Sequence, residues 1–455
     1  MIIPSITHLH ALVVRSATTY VEAASASSST SDSCNDINDC RTLLQIVWSC
    51  ISVLIACTWV SVHPNVPGPD DSSWKVFRRK IGLMIIALIA PEMLVLWAAR
   101  QWFAARKLSE RYPGWTRTHA FFALMGGFAL YEDKECVSCD PATEFDQRSF
   151  AAHLNLIGRI PEAEIKDRSH SDGFSKLIAI MQTSWFVVQL LARWIEGLPV
   201  TELEVMTLAF AAMNVLIYFF WWDKPQGVGY PVRIVQKSAD EDVVDPLAGA
   251  SAQPKEGWIA TAWNGVQGIL HNVLNAVCKF FNQPYEDILF DALSFLWLII
   301  KVPYNLTMII VEVIITDFPD IGKSEMVPSF ERTTELEPKN AQDKFIAYGA
   351  AVMFGAIHCA AWTSKFPSTA EEVLWKVCSL LVTCAPMYLA LFNIINETFH
   401  MPDWVAGCLV LVYIAMVFFY ILARLSLIVQ PFVALRDLPP DIFKAVQWTN
   451  FIPHI

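Results

Sequence analysis

The stretch WVAGCLVLVYIAMVFFYILARLSLIV (404–429) carries a single charged side chain, Arg424. About 20 apolar residues suffice to cross a bilayer as a helix, because hydrocarbon offers no water to the backbone's polar groups. A surface helix of a soluble protein keeps a polar face; this segment has none. It therefore reads as a membrane span and sets the scale for the rest of the chain.

Working outward, Val373–Ile395 and Ala341–Trp362 precede it as two further spans. Leu177–Ile195 and Leu203–Trp222 form a tight hairpin joined by EGLPVTE, and Leu43–Val62 and Ile81–Phe103 open the series. A further segment, Asp287–Ile315, is long and apolar, but Lys301, Pro303 and Glu312 interrupt it. It reads as one broken helix or two half-spans, which a membrane tolerates only where the backbone is buried in protein or lines a wet cavity. The expected fold class is all-α, a polytopic transmembrane helix bundle of about seven to eight spans. The divisions are a leader and polar segment (1–42), two spans (43–103), a polar loop with a short apolar piece (104–176) and the hairpin (177–222). A second polar loop (223–286), the broken segment (287–316), a linker (317–340), three spans (341–430) and a tail (431–455) follow.

Composition agrees. Charged residues make up 17% of the chain and hydrophobic ones 54%, whereas a soluble protein carries about 25% charged residues. Only a lipid-facing surface removes the need for the missing charges. The net charge of −11 argues against nucleic acid, which requires a basic footprint; the partner implied is the lipid bilayer. Trp59, Trp97, Trp102, Trp194, Trp221, Trp222, Trp362, Trp375 and Trp404 lie near the expected span ends, as an interfacial aromatic belt requires.

Shorter segments leave alternatives open. MIIPSITHLHALVV and ASASSSTS read as a weak secretory signal cleaved near Ala26 or as a disordered leader. Ala120–Tyr131, with Gly126 and Gly127, is a re-entrant piece or a buried helix with a close backbone contact. Gly257–Asn282 has apolar residues at helical spacing and reads as an interfacial helix or as one packed on another segment. Cys34 and Cys40 pair if their end faces an oxidising compartment. Basic residues do not fix the orientation. Arg78, Arg79 and Lys80 put the loop before the second span in the cytosol and the N-terminus outside, which Arg106, Lys107, Arg111 and Arg117 on the other side of that span contradict. The opposite orientation, if Ala120–Tyr131 does not cross, puts both long loops, 104–176 and 223–285, in the cytosol.

The candidate intramembrane polar site comprises Glu92, Gln182, Gln189, Arg193, His358, Glu397 and His400. Gln182, Trp185, Gln189, Arg193 and Glu196 fall on one helical sector. Polar groups at depth are costly and face the bundle interior or a cavity, so the two glutamines are expected to point inward. Their roles are a substrate or ion path, or interhelical hydrogen bonding. Glu92 follows Pro91 inside the second span and needs a partner there, Arg193 or Lys301, or a proton. His358 reads as a hydrogen-bonded packing residue ahead of a catalyst, and Arg424 as a snorkelling or paired charge. Glu397 and His400 have the Glu-x-x-His spacing of carboxylate metal sites, but such sites need a second copy. A polar helix end before Pro402 explains them more simply, so no metal site is expected. Cys136-x-x-Cys139 lacks two further ligands, and the residues designate no cofactor.

The strings CNDINDCRTLLQIVWSCISVLIACTWVSVHPNVPGP (34–69), WTRTHAFFALMGGF (115–128), QTSWFVVQLLARWIEGLPVTELE (182–204), FFWWDKPQGVGYPV (219–232), FGAIHCAAW (354–362) and WTNFIPHI (448–455) resemble a large group of fungal predicted multi-pass membrane proteins. The resemblance implies a fungal source and a shared multi-helix fold, and it carries no assigned activity. Relatives often have an Asp before MGGF, where this chain has Leu124. Three functions compete. A transporter or channel rests on the polar stripe, Glu92 and the interrupted segment, with a small molecule or ion as substrate. A membrane-embedded enzyme acting on a lipid or isoprenoid rests on convergence of Glu92, His358, Glu397 and His400. A non-catalytic scaffold would dock through the 104–176 loop and 257–282.

Overall fold

The structure, a computed structural model, describes residues 40–68, 71–132, 135–138, 160–169, 173–235, 330, 342–398 and 403–448. The leader, Cys34, the 257–282 segment, Asp287–Ile315 with Lys301, and His400 lie outside the described residues, as does the side chain of Glu397.

Helix α1 (Leu43–Ile55) continues through a π turn (Ala56–Val60). It is followed by α2 (Ser73–Ile89), α3 (Pro91–Arg111) and the short α4 (Arg117–Leu124). Strands β1 (Phe128–Glu132) and β2 (Glu135–Ser138), α5 (Glu162–Asp167), α6 (Gly173–Ile195), α7 (Glu202–Phe220) and β3 (Val232–Val235) come next. The last helices are α8 (Gln342–His358), extended by a 3-10 turn to Thr363, α9 (Thr369–Thr398) and α10 (Asp403–Ala434). Threonines start the helices where sequence and geometry agree. Thr42, Thr116 and Thr201 each accept from the third backbone N–H of their helix, whose residue answers with its own side chain. Such reciprocal caps satisfy donors a helix start otherwise leaves open.

Six helical stretches are long and apolar enough to cross a membrane: Leu43–Val60, Leu177–Ile195, Glu202–Phe220, Gln342–Thr363, Thr369–Ile395 and Leu411–Ala434. Central α7 has 72% of its apolar window buried, against 33–39% for the other five. It packs against α1, α3, α8 and α10. The bundle turns Leu44, Trp48, Met181, Leu411 and Val429 of the outer helices outward, together with Val215 and Phe219 on the free side of α7, each more than half exposed. A belt of that size suits lipid rather than water. At the closest helix contact, a Cβ on Gly355 of α8 would lie 2.6 Å from the backbone nitrogen of Thr383 in α9.

The expected span Ile81–Phe103 is corrected: it is two helices, α2 and α3, bent by 112°. The cause is local. Pro91 takes the first position of a new helix, where its missing N–H costs nothing, and Ala90 leaves helical geometry at φ −142°, ψ 68°.

Contacts sort the helix ends into two faces. On the tail face, Arg41 N–H donates to Phe443 O at 2.7 Å, Ser364 meets Val200 O, and Arg436 pairs with Glu371. This joins the start of α1, the ends of α6, α8 and α10, the starts of α7 and α9, and the C-terminal segment. On the sheet face, Gln226 donates to Val60 O at 2.6 Å, and Arg100 bonds Asp343 at the start of α8. Both free ends of the α2–α3 pair lie there: Lys80 sits 4.2 Å from the Trp59 ring centroid, and Gln101 bonds Trp221 at the end of α7. Both helices of the pair thus make contacts on this face away from their break.

The sheet face also holds a three-stranded sheet ordered β2–β1–β3, antiparallel then parallel. The short apolar piece Ala120–Tyr131 is therefore the buried helix α4 running into β1. Gly126 takes φ +79° at the turn, and a Cβ on Gly127 would strike the Phe122 ring.

Candidate functional site

The break between α2 and α3 leaves the last carbonyls of one helix and the first N–H groups of the next inside the bundle, where each needs a partner. Arg424 of α10 supplies one: its Nε donates to Ile89 O at 3.0 Å. Its Nη2 donates to Glu92 Oε2 at 3.1 Å, and Tyr420 Oη donates to Glu92 Oε1 at 2.8 Å. Glu92 stands in the first turn of α3, where a carboxylate is favoured by the helix dipole. The guanidinium also lies 3.6 Å from the centroid of Phe354. Glu92 is thus paired at depth as its position requires, but its partner is Arg424, not Arg193 or Lys301. Arg424 is 1% exposed and does not snorkel.

His358 is fully buried, one helical turn beyond Phe354. Its Nδ1 donates to Phe354 O at 2.7 Å, which leaves Nε2 as the unprotonated nitrogen. Neither His358 Nε2 nor Arg424 Nη1 has a partner among the described residues. The His358 ring stacks at 4.6 Å on Phe354, and its carbonyl accepts from Trp375 Nε1 at 3.1 Å. These contacts match the packing role.

Beside the break lies a half-open cavity of about 50 Å3 between α3, α8, α9 and α10. Glu92 and Tyr420 line it next to the break, Lys344 and Tyr348 line it from α8, and the surface exposed to it is almost all carbon. By volume it holds roughly four water-sized groups, and its apolar walls favour methylenes over water.

The glutamine stripe on α6 is corrected. Gln182 and Gln189 are only half-buried and Trp185 is 53% exposed, stacked on Trp448. The inward face is instead Thr183, Phe186, Leu190 and Arg193. A helical sector computed from sequence gives a direction but not its sense, and this one points along the bundle's edge. Arg193 is a clamp: Nη1 donates to Lys444 O at 2.7 Å, Nη2 to Pro199 O at 2.7 Å and Ile442 O at 3.1 Å, and Nε to Pro199 O at 3.2 Å. It ties the tail to the α6–α7 turn, next to the buried pairing of Arg41 with Glu204. Glu92, His358 and Arg193 therefore do not share one cavity with the glutamines.

A second buried cation escaped the sequence reading. Lys224, just past α7, is 1% exposed and donates to His63 O at 2.6 Å, Gln101 Oε1 at 2.9 Å and Asn65 Oδ1 at 3.2 Å. Its ammonium sits 4.5 Å from the Trp97 ring centroid and 4.4 Å from that of Trp221. Burial pushes its pKa well below the ordinary lysine value. Trp97, Trp221 and Trp375 are thus interior residues, which corrects their placement in the interfacial belt.

Fold and site together define a helix-bundle protein with membrane-compatible helices, a broken helix and a charge cluster at the break. A family model matches residues 12–113, 109–251 and 339–455. The chain belongs to that family, described as a family of unknown function, DUF8562. No curated protein and no solved structure matches it.

Proposed function

We propose that this chain is a multi-pass integral membrane protein that binds and carries a small, membrane-soluble molecule, taken up in the cavity over Glu92. The observation that carries the reading is the discontinuous α2–α3 pair. Its two inner ends meet at a compensated charge cluster directly beneath an apolar cavity, an arrangement many carriers use to build midplane sites. The pair is re-entrant, inserted from the sheet face. An open channel is disfavoured because Glu92, Tyr420 and Arg424 are bonded together beside this cavity. An enzyme is disfavoured because His358 stands behind Phe354, away from Glu92.

The sheet face is proposed to lie in the cytosol. Lys75, Arg78, Arg79, Lys80, Arg106, Lys107, Arg111, Arg117, Lys166 and Arg168 gather there, against Arg41, Arg193, Lys365, Lys376, Arg436 and Lys444 on the tail face, the bias expected of cytoplasmic loops. Independently, Cys40 on the tail face is disulfide-bonded, which suits an oxidising compartment.

The test is native mass spectrometry of the purified protein. A bound small molecule should be retained, lost on Ala351→Phe, which fills the cavity wall, and kept on the lipid-facing control Val215→Phe. Equal occupancy in both variants would contradict the reading.

A further inference from the structure

We infer that two copies of this chain pair in the membrane through the outward face of α6, Gln182 and Gln189 of one copy bonding to the same residues of the other. The inference rests on the membrane reading and is independent of the cavity. α6 packs on α1, on the π turn and on α7. Its opposite side turns Ile178, Met181, Trp185 and Val188 outward, each 44–64% exposed, and the two glutamines lie half-buried in the same strip. At 1.5 Å per residue they stand about 8 and 9 Å inside the two ends of the span Leu177–Ile195. Neither side-chain amide has a hydrogen-bond partner among the described residues. An apolar strip faces lipid at no cost. An amide does not, because hydrocarbon offers it neither donor nor acceptor.

A second copy is the occupant that the spacing selects. Copies of a membrane protein stand the same way up, so a twofold axis runs along the membrane normal and sets α6 against α6 in parallel. Each residue on such a seam meets its own counterpart. A charge would meet a like charge there, but a side-chain amide carries both donor and acceptor and bonds to itself. Gln182 and Gln189 are seven residues apart, the repeat at which parallel helices present the same face to each other, and polar residues at that repeat fix the register. Ile178 and Trp185 take the alternate seam position, the latter braced by Trp448. Of the charged residues that follow, Arg193 is turned inward onto its carbonyls, and Glu196 lies beyond the span and accepts from the Gln447 N–H. Hydrogen bonds of this kind join membrane helices elsewhere.

The experiment follows association of the full chain by sedimentation equilibrium in density-matched detergent and by single-molecule photobleaching in phosphatidylcholine vesicles. A monomer–dimer equilibrium is expected. Gln182→Leu combined with Gln189→Leu should raise the dissociation constant about tenfold, since each amide pair in a membrane supplies about threefold. The unfolding midpoint of the monomer should not fall, because leucine suits lipid. In a background with the native cysteines replaced by Ser or Ala, Gln189→Cys should give a disulfide-linked dimer on mild oxidation, and Val429→Cys, outward on α10, should not. A wild-type chain that stays monomeric at every concentration, its strip covered by lipid or by another segment of the same chain, overturns the inference. So does a dimer that the double leucine variant leaves unweakened, or equal cross-linking from positions 189 and 429. Ligand retention in the cavity tests the carrier reading separately and is unaffected by any of these results.

Discussion

Replacing Arg424 by Met leaves Glu92 deep in the bundle with only the Tyr420 hydroxyl, 2.8 Å away, as a partner. Breaking a buried ion pair by removing one member costs about 3–5 kcal/mol, because the remaining charge is stranded. Arg424→Met also removes the bond to Ile89 O and the stacking on Phe354, so the upper end of that range, about 5 kcal/mol, is expected. Glu92→Gln keeps an acceptor for Tyr420 and leaves Arg424 its carbonyl and its ring, so the lower end, about 3 kcal/mol, is expected. In the double variant neither charge is stranded. The two losses should therefore fall short of their sum by about 2 kcal/mol, as for residues in one network. The assay is unfolding in detergent followed with a thiol-reactive fluorophore, for which buried Cys50, Cys57 and Cys378 are natural reporters. Additivity within about 0.5 kcal/mol would refute the claim that this pair closes the helix break.

Gly355→Val should destabilise by about 1–3 kcal/mol, since its side chain would meet the Thr383 backbone; an unchanged unfolding midpoint would show that α8 and α9 are not so close. Arg193→Leu should release the two tail carbonyls it holds, Ile442 O and Lys444 O, and speed limited proteolysis within 435–448, with cleavage at the wild-type rate as the contrary result. Lys224 gives a pH prediction. Burial lowers its folded pKa, so the unfolded chain binds more protons and stability should rise from the folded pKa up to about pH 10.4. Lys224→Met should flatten that rise in melting experiments, and an identical slope would place the titration elsewhere.

The helices were legible because lipid demands apolar residues on every outward face, and 404–429 states this without ambiguity. Pro91 was visible too, but a proline within an apolar run either kinks one span or starts a second helix, and composition is the same in both cases. What decides it is Arg424 capping Ile89, a contact across more than 300 positions of chain. The basic residues on both sides of the pair were a local signal too, but beside a single crossing span they read only as a contradiction of the positive-inside pattern. The glutamine stripe misled because a period gives a sector, while burial depends on which neighbours arrive. Lys224 had no local signal at all: its acceptors come from distant segments, Gln101 from α3 and Asn65 from the irregular stretch after the π turn. Only Glu92 carried its own warning, as a carboxylate that needs a partner at depth.

The membrane placement of the α2–α3 pair is tested most directly by labelling introduced cysteines with a membrane-impermeant maleimide in sealed, oriented vesicles, in a background with the native cysteines replaced by Ser or Ala. Lys75→Cys and Arg111→Cys, at the two free ends of the pair, should label from the same side, and Ser368→Cys from the opposite one. Labelling of Lys75→Cys and Arg111→Cys from opposite sides would make the pair a crossing span and contradict the account.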